Sequence, residues 1–243
     1  MKSTNKPNII IIISDHLTKR VMGAYGSPYG VTPNMDRIAK DGITFTNAYT
    51  TYPLCCPSRV SFWTGLYPHT TKIISNGSRC EHPKVPKSIP TVGSMFKNAG
   101  YDTRHYGKQH DRGALRGFRT YPSFAKKIKD EVPAWPVRND SKCDVHTAKK
   151  CVKYLKKKHK KPFIMVADFN NPHDICGFVG KNAGKHKDTS IPEGTLLPDL
   201  PNNFEILDLD KRPKPIQYIC CSHRRLSQAS HWTKENYRYY LAA

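Results

Sequence analysis

The chain has 243 residues, 37% of them hydrophobic, which is enough for one sizeable core. Its formal charge of +21 sets up a field that attracts polyanions, whether nucleic acid, anionic lipid or sulfated glycan. Its eight cysteines show no CxxC spacing and include two adjacent pairs, Cys55–Cys56 and Cys220–Cys221, which argues against a zinc site and against a disulfide framework in a chain this long.

The first element is a run of isoleucines at residues 9–13. An unbroken β-branched run predicts a strand buried on both faces, central in a parallel sheet. The run is too short for a signal-peptide core or a membrane span. The expected location is therefore the cytoplasm, or the periplasm or exterior if a leader has been removed. Asp15 then falls just past the strand, where ligands bind in open α/β sheets. Thr32-Pro33-Asn34, with Met35, Ile38 and Ala39 before Gly42, predicts a capped helix. A short strand is expected at 43–48, a helix at 58–64 stopped by Gly65, a capped helix at 91–99, and a strand at 101–106. The lysine-rich stretch 144–159 carries Val145, Ala148, Val152 and Leu155 at a spacing that predicts a helix with these four on one buried stripe and a solvated basic face. An apolar strand is expected at 163–169. Prolines dominate the region 176–232, which reads as a long ordered loop, and a further helix begins near Thr233. Strands alternate with helices, so the expected class is α/β with a largely parallel sheet. No helix-turn-helix or RNA-binding aromatic motif is present, so no nucleic acid is expected as partner.

The most informative segment is Cys55-Cys56-Pro57-Ser58-Arg59, followed four residues later by Thr64-Gly65. It places a thiol just before a proline-started helix, whose free N–H groups favour oxyanions, and Arg59 adds a planar cation. Alone, such a cysteine reads better as a buried structural thiol beside a helix cap. Three further segments repay notice: Ser14-Asp15-His16 at the end of the first strand, Gly107-Lys108-Gln109-His110 after another, and Asp168-Phe169-Asn170-Asn171-Pro172-His173 after a third.

Taken together these segments resemble the type I, formylglycine-dependent sulfatases of the alkaline-phosphatase-like superfamily. The signature C-x-P-S-R-x4-T-G is met at every fixed position, and the other motifs follow in family order across nearly the whole chain. The resemblance implies an alkaline-phosphatase-like α/β fold and a sulfuric ester hydrolase. It implies that Cys55 is oxidised to formylglycine (3-oxoalanine) by a formylglycine-generating or anaerobic sulfatase-maturating enzyme. Arg59 would hold the hydrated aldehyde, Lys108 would bind sulfate, and His110 would orient or take a proton from the hydrate. His173 would contact the sulfate and protonate the leaving alcohol. The implied cofactor is Ca2+, with Asp15, His16 and the modified Cys55 as metal candidates. At position 16 the family has Asp or Gln, whereas His16 offers nitrogen where calcium prefers oxygen. Gln109 stands where the family has Trp, and Asp168 where it has Ser. The expected substrate is a sulfated small molecule or glycan.

No Asp–Asn pair follows His173 as the family pattern requires. Residues 1–243 are therefore expected to form an incomplete N-terminal catalytic domain that binds calcium poorly and turns over little substrate alone. Two alternatives follow from the same residues: an inactive fragment or basic polyanion-binding module, and a phosphonate or phosphate monoester hydrolase of the same superfamily.

Overall fold

The computed structural model describes residues 6–28, 32–76, 83–122, 141–173, 199–200 and 213–214. The chain divides into two compact units, the first within 1–17, 45–136 and 140–173, the second within 18–44, 137–139 and 174–243. The Pro-rich region and the final helix expected from the sequence lie almost wholly outside the described residues.

The first unit is built on four parallel strands, β1 (Ile9–Asp15), β2 (Asp102–Gly107), β3 (Arg119–Pro122) and β4 (Phe163–Pro172), in the order β1-β4-β2-β3. Strand β4 is buried along its first six residues because it lies between β1 and β2. Its alternate side chains feed two cores, as the two-residue period of a strand requires. Ile164 and Val166 join Cys56, Val60, Trp63, Ile73 and Phe118, whereas Phe163, Met165 and Ala167 join Tyr106, Cys151 and Tyr154.

Helix α2 (Cys55–Thr64) supplies Cys56, Val60 and Trp63 to the first core, at the spacing of one helix face. Trp63 is fully buried and meets the rings of Phe118 and His105 edge-on. Gly65 closes the helix in a left-handed conformation, φ 71°, with its N–H donating to the Ser61 carbonyl. A short helix α3 (Pro68–Thr71) follows. Helix α4 (Val92–Asn98) opens with a reciprocal capping box between Thr91 and Ser94. Helix α5 (Ser141–Leu155) packs against β4 and β2 and buries Cys143, Thr147, Cys151 and Tyr154, not the stripe expected from the sequence: Val145, Val152 and Leu155 are exposed, because the face that meets the sheet is turned from the aliphatic one.

In the second unit, helix α1 (Pro33–Asp41) begins with a proline in its first turn. Asp36 accepts hydrogen bonds from the Thr32 hydroxyl and the Ala24 N–H, each at 2.8 Å, and Gly23 N–H donates to Thr32 Oγ1 at 2.9 Å. The Gly-Ala-Tyr-Gly and Thr-Pro-Asn-Met-Asp segments thus hold each other in place.

Several expectations are corrected. Among the described strands, residues 9–15 form an edge rather than the centre of the sheet, and Ile10 and Ile12 are half exposed, so only one face of β1 is buried. Residues 43–48 form no strand: no neighbouring strand pairs with them, and Ile43 and Phe45 remain largely exposed. Helix α2 begins at Cys55, three residues earlier than expected. Strand β3 and helix α3 are too short to carry a periodic signal and were not anticipated.

Candidate active site

The described strands of the first unit all point the same way, so their C-terminal ends share one edge. That edge gathers Asp15 and His16 from β1, Lys108 and His110 after β2, and Asp168 to His173 from β4. The head of α2 brings Cys55 and Arg59 to the same place. All seven candidate side chains thus lie within the first unit.

Cys55 is the first residue of α2 and is half buried, with Sγ 3.9 Å from Asp15 Oδ1. Burial raises its thiol pKa, and the Asp15 carboxylate adds to the rise; Lys108 and Arg59 oppose it without reversing it. The thiol is therefore protonated at neutral pH. A cysteine used directly as a nucleophile is normally tuned the other way.

Arg59 is almost fully buried. Its guanidinium forks onto Asp168, with Nη1 donating to Oδ2 and Nη2 donating to Oδ1 at 2.9 Å. Nη2 also lies 3.4 Å from Asp15 Oδ2. Desolvation works against the cation, but the Asp168 carboxylate outweighs it and raises the Arg59 pKa. Asp168 is completely buried, and its Oδ2 sits 3.3 Å from His105 Nε2, also at zero exposure. A carboxylate only accepts, so the His105 ring N–H faces it from Nε2.

Lys108 pairs through Nζ with Asp15 Oδ2. Burial alone would raise the Asp15 pKa, but the hydrogen bond and charge of Lys108, followed by Arg59, hold it below the usual 3.8. The backbone at this point is tightly constrained. Gly107 has φ 108°, and a Cβ there would run into the Asp168 carbonyl. Lys108 N–H donates to that carbonyl at 2.9 Å. Only glycine lets β2 turn here and deliver Lys108 to Asp15.

His110 also has a positive φ, 135°, and its Nε2 lies 3.2 Å from the Asn76 carbonyl. Burial lowers its pKa, with Lys108 and Arg59 adding to the fall against the pull of Asn76. His173 follows a cis Asn171–Pro172 bond and meets the His16 ring edge-on at 6.2 Å. Its pKa is lowered by burial first and by Lys108 second.

Three positioning residues were not singled out from the sequence. Asn76 accepts from the Cys56 N–H at 3.1 Å through Oδ1 while its carbonyl meets His110, so one residue ties the head of α2 to the loop after β2. Asp144 accepts from the N–H groups of Asn170 and Asn171, both at 2.8 Å, and fixes the approach to His173. Asp168 holds Arg59. The first two are isolated polar residues with no local pattern. Asp168 was visible as a carboxyl at the end of an apolar strand.

The described residues do not make a calcium site. Asp15 is the one carboxylate facing Cys55, one of its oxygens is shared by Lys108 and Arg59, and His16 and a thiol are poor partners for a hard ion that takes six to eight oxygens. No group of three or more His, Cys, Asp or Glu residues converges on a metal position among the described residues. Likewise no helix among them is long and apolar enough to cross a membrane.

The sulfatase family model matches residues 7–204. A Delta 4,5-hexuronate-2-O-sulfatase of Bacteroides thetaiotaomicron is 50% identical over 242 residues, covering 100% of this chain and 50% of that protein. An N-acetylglucosamine-6-O-sulfatase of the same organism is 29% identical over 208 residues, 82% of this chain and 36% of that protein. Among solved structures, a 2-O GAG sulfatase superposes with a TM-score of 0.83, with 50% identity over 97% of this chain and 50% of that one. A phosphonate monoester hydrolase of Agrobacterium radiobacter, at 21% identity and a TM-score of 0.52, shares the fold alone. The chain spans about half the length of the curated relatives it matches. With the signature cysteine at the head of α2, the cations around it and a family match over most of its length, this chain belongs to the sulfatase family.

Proposed function

We propose that the protein to which this chain belongs hydrolyses sulfate esters of a carbohydrate, using a formylglycine made from Cys55. The observation that carries the reading is the setting of Cys55. It heads a helix, faces Asp15, has Arg59 and Lys108 beside it, and holds a thiol whose raised pKa makes it a poor nucleophile as it stands. Conversion by a formylglycine-generating or anaerobic sulfatase-maturating enzyme would replace that thiol with an aldehyde; one hydroxyl of its hydrate attacks the sulfur as the alcohol leaves, the other then loses its proton and expels sulfate, and the aldehyde so restored takes up water for the next turnover.

The chain's own residues have distinct tasks in this reading. Arg59, locked by Asp168, gives fixed N–H donors beside position 55. Lys108 meets the charge on the sulfuryl oxygens, and in doing so exchanges Asp15 for the substrate. His110 takes the proton released from the oxygen at position 55. His173 gives a proton to the departing alcohol oxygen. It is neutral in the free site, and an arriving anionic ester raises its pKa toward the value an acid needs. A divalent cation would find one carboxylate here, Asp15, and its other oxygens outside the described residues.

The hexuronate 2-O-sulfatase and the 2-O GAG sulfatase, each at 50% identity, support a sulfated carbohydrate as substrate. The test is turnover of paired aryl sulfate and aryl phosphate esters by the whole protein matured with the converting enzyme. Preference for the sulfate supports the reading. Preference for the phosphate assigns the site to the phosphate-ester hydrolases of the same superfamily instead.

A further inference from the structure

The other end of the sheet carries a feature that the Cys55 centre does not use. A groove of about 700 Å3 opens between the start of β2, strand β3 and the C-terminal half of α5. Its walls include Lys150, Lys153 and Lys157, with Lys158, Lys160 and Lys161 in the segment that follows. Lys150 and Lys153 lie about one turn apart on α5, and Lys157 follows two residues past its last residue, Leu155. The groove contains Asp102 at the first position of β2, whereas Lys108 follows its last. At the rise of an extended strand the two ends of β2 are roughly 17 Å apart.

Among the described residues the lysines of the groove carry uncompensated charge. None of the six lysines has a carboxylate partner among the described residues. Asp102 is the one acid in the lining and is already engaged, accepting from Arg104 at 2.8 and 3.0 Å and from the Tyr154 hydroxyl at 3.0 Å. Lysines in a last helical turn complement the helix dipole. That accounts for Lys153 but not for Lys158, Lys160 and Lys161, which lie beyond the helix.

The aromatic floor narrows the ligand. Tyr106 and Tyr121 stack on each other at 4.7 Å, and the Tyr121 ring is also met by the Arg104 and Arg119 guanidinium groups. Tyr106 and Tyr154 are buried. These rings are spent on one another, so they offer no open faces on which bases could stack, as single-stranded nucleic-acid sites do. What remains is a row of flexible point charges suited to spaced sulfate or carboxylate groups.

We propose that this groove is a second anion-binding site that holds a sulfate- or carboxylate-bearing glycan chain away from the Cys55 centre. The choice of ligand is shared with the sulfatase reading, but the charge and geometry stand without it. The test is fluorescence anisotropy of the full 243-residue chain with a labelled heparin-type oligosaccharide, with folding followed by thermal unfolding. The variant Lys153→Gln/Lys157→Gln/Lys160→Gln, which touches no core residue, is expected to weaken binding by roughly tenfold or more and to flatten its salt dependence. Lys108→Gln is expected to leave binding within roughly twofold, since it alters only the other end of the sheet. Unchanged binding by the triple variant, loss of binding in Lys108→Gln, or equal affinity of the chain for single-stranded DNA overturns the proposal. Aryl sulfate hydrolysis by the whole protein is a separate readout. The triple variant should leave it unchanged, so failure of the groove and failure of the sulfatase reading are distinguishable.

Discussion

Asp168 decides how Arg59 works. A guanidinium forked onto a fully buried carboxylate cannot swing to meet a ligand, so Arg59 acts as a fixed donor rather than a mobile counter-ion. Asp168→Asn keeps the shape but removes the charge, leaving Arg59 buried without its partner. The expected cost is about 3–5 kcal/mol of stability, read from denaturant unfolding. A loss below about 1 kcal/mol would show that the pair is incidental.

The histidines give the site its pH dependence. His173 and His110 both titrate below the ordinary 6.5 in the folded chain, burial being the leading cause. The unfolded chain therefore takes up protons first as pH falls below 6.5, and folding stability declines from there until the lower folded pKa values are passed. Asp15 behaves as a depressed carboxylate: its contribution is complete above 3.8 and is lost as pH falls through its lower folded value. In the sulfatase reading, kcat/KM falls with rising pH as His173 in the free enzyme loses its proton, which places that limb below pH 6.5. His173→Ala should abolish the limb. A limb that survives the substitution assigns it to another group.

At the scale of elements, the turn after β2 is the joint on which the site depends. Gly107→Ala adds a Cβ where the Asp168 carbonyl already sits, at a φ that side chains avoid. It should cost at least about 2 kcal/mol and displace Lys108 from Asp15. Thermal unfolding and aryl sulfate turnover would both register the change, and a variant as stable as the parent would mean that the two strands can separate freely here. This element was half legible in sequence. The spacing Gly107-Lys108-x-His110 announced two side chains on one loop, but not why glycine precedes them, because the obstructing carbonyl lies 61 residues away in the chain, at Asp168. Strands β1, β2 and β4 and helices α1, α2 and α4 were readable from period and caps; α5 was readable as a helix, but its buried face was not, since Val145, Val152 and Leu155 are exposed and Thr147, Cys151 and Tyr154 face the sheet instead. Strand β3 was not, because its four residues, Arg-Thr-Tyr-Pro, are held by pairing to β2 rather than by any apolar pattern. The expected strand at 43–48 failed for the converse reason: the pattern was present and no partner strand came to meet it.

At the scale of the molecule, the isoleucine run misled in one respect. Its composition predicts burial on both faces, yet β1 is an edge of the described sheet with Ile10 and Ile12 half exposed. Sequence composition reports what a strand can bury, while its neighbours decide what it does bury. The candidate site residues were legible because each falls at a strand end or helix head in a known order. Asn76 and Asp144 were not, because their tasks are hydrogen bonds across the fold.

If residue 55 works as an aldehyde, the peptide that carries it, taken from a catalytically active preparation of the whole protein, has the mass of the formylglycine form, in a fraction that tracks the rate of sulfate ester hydrolysis across preparations. An active preparation in which Cys55 is entirely unmodified thiol would contradict it.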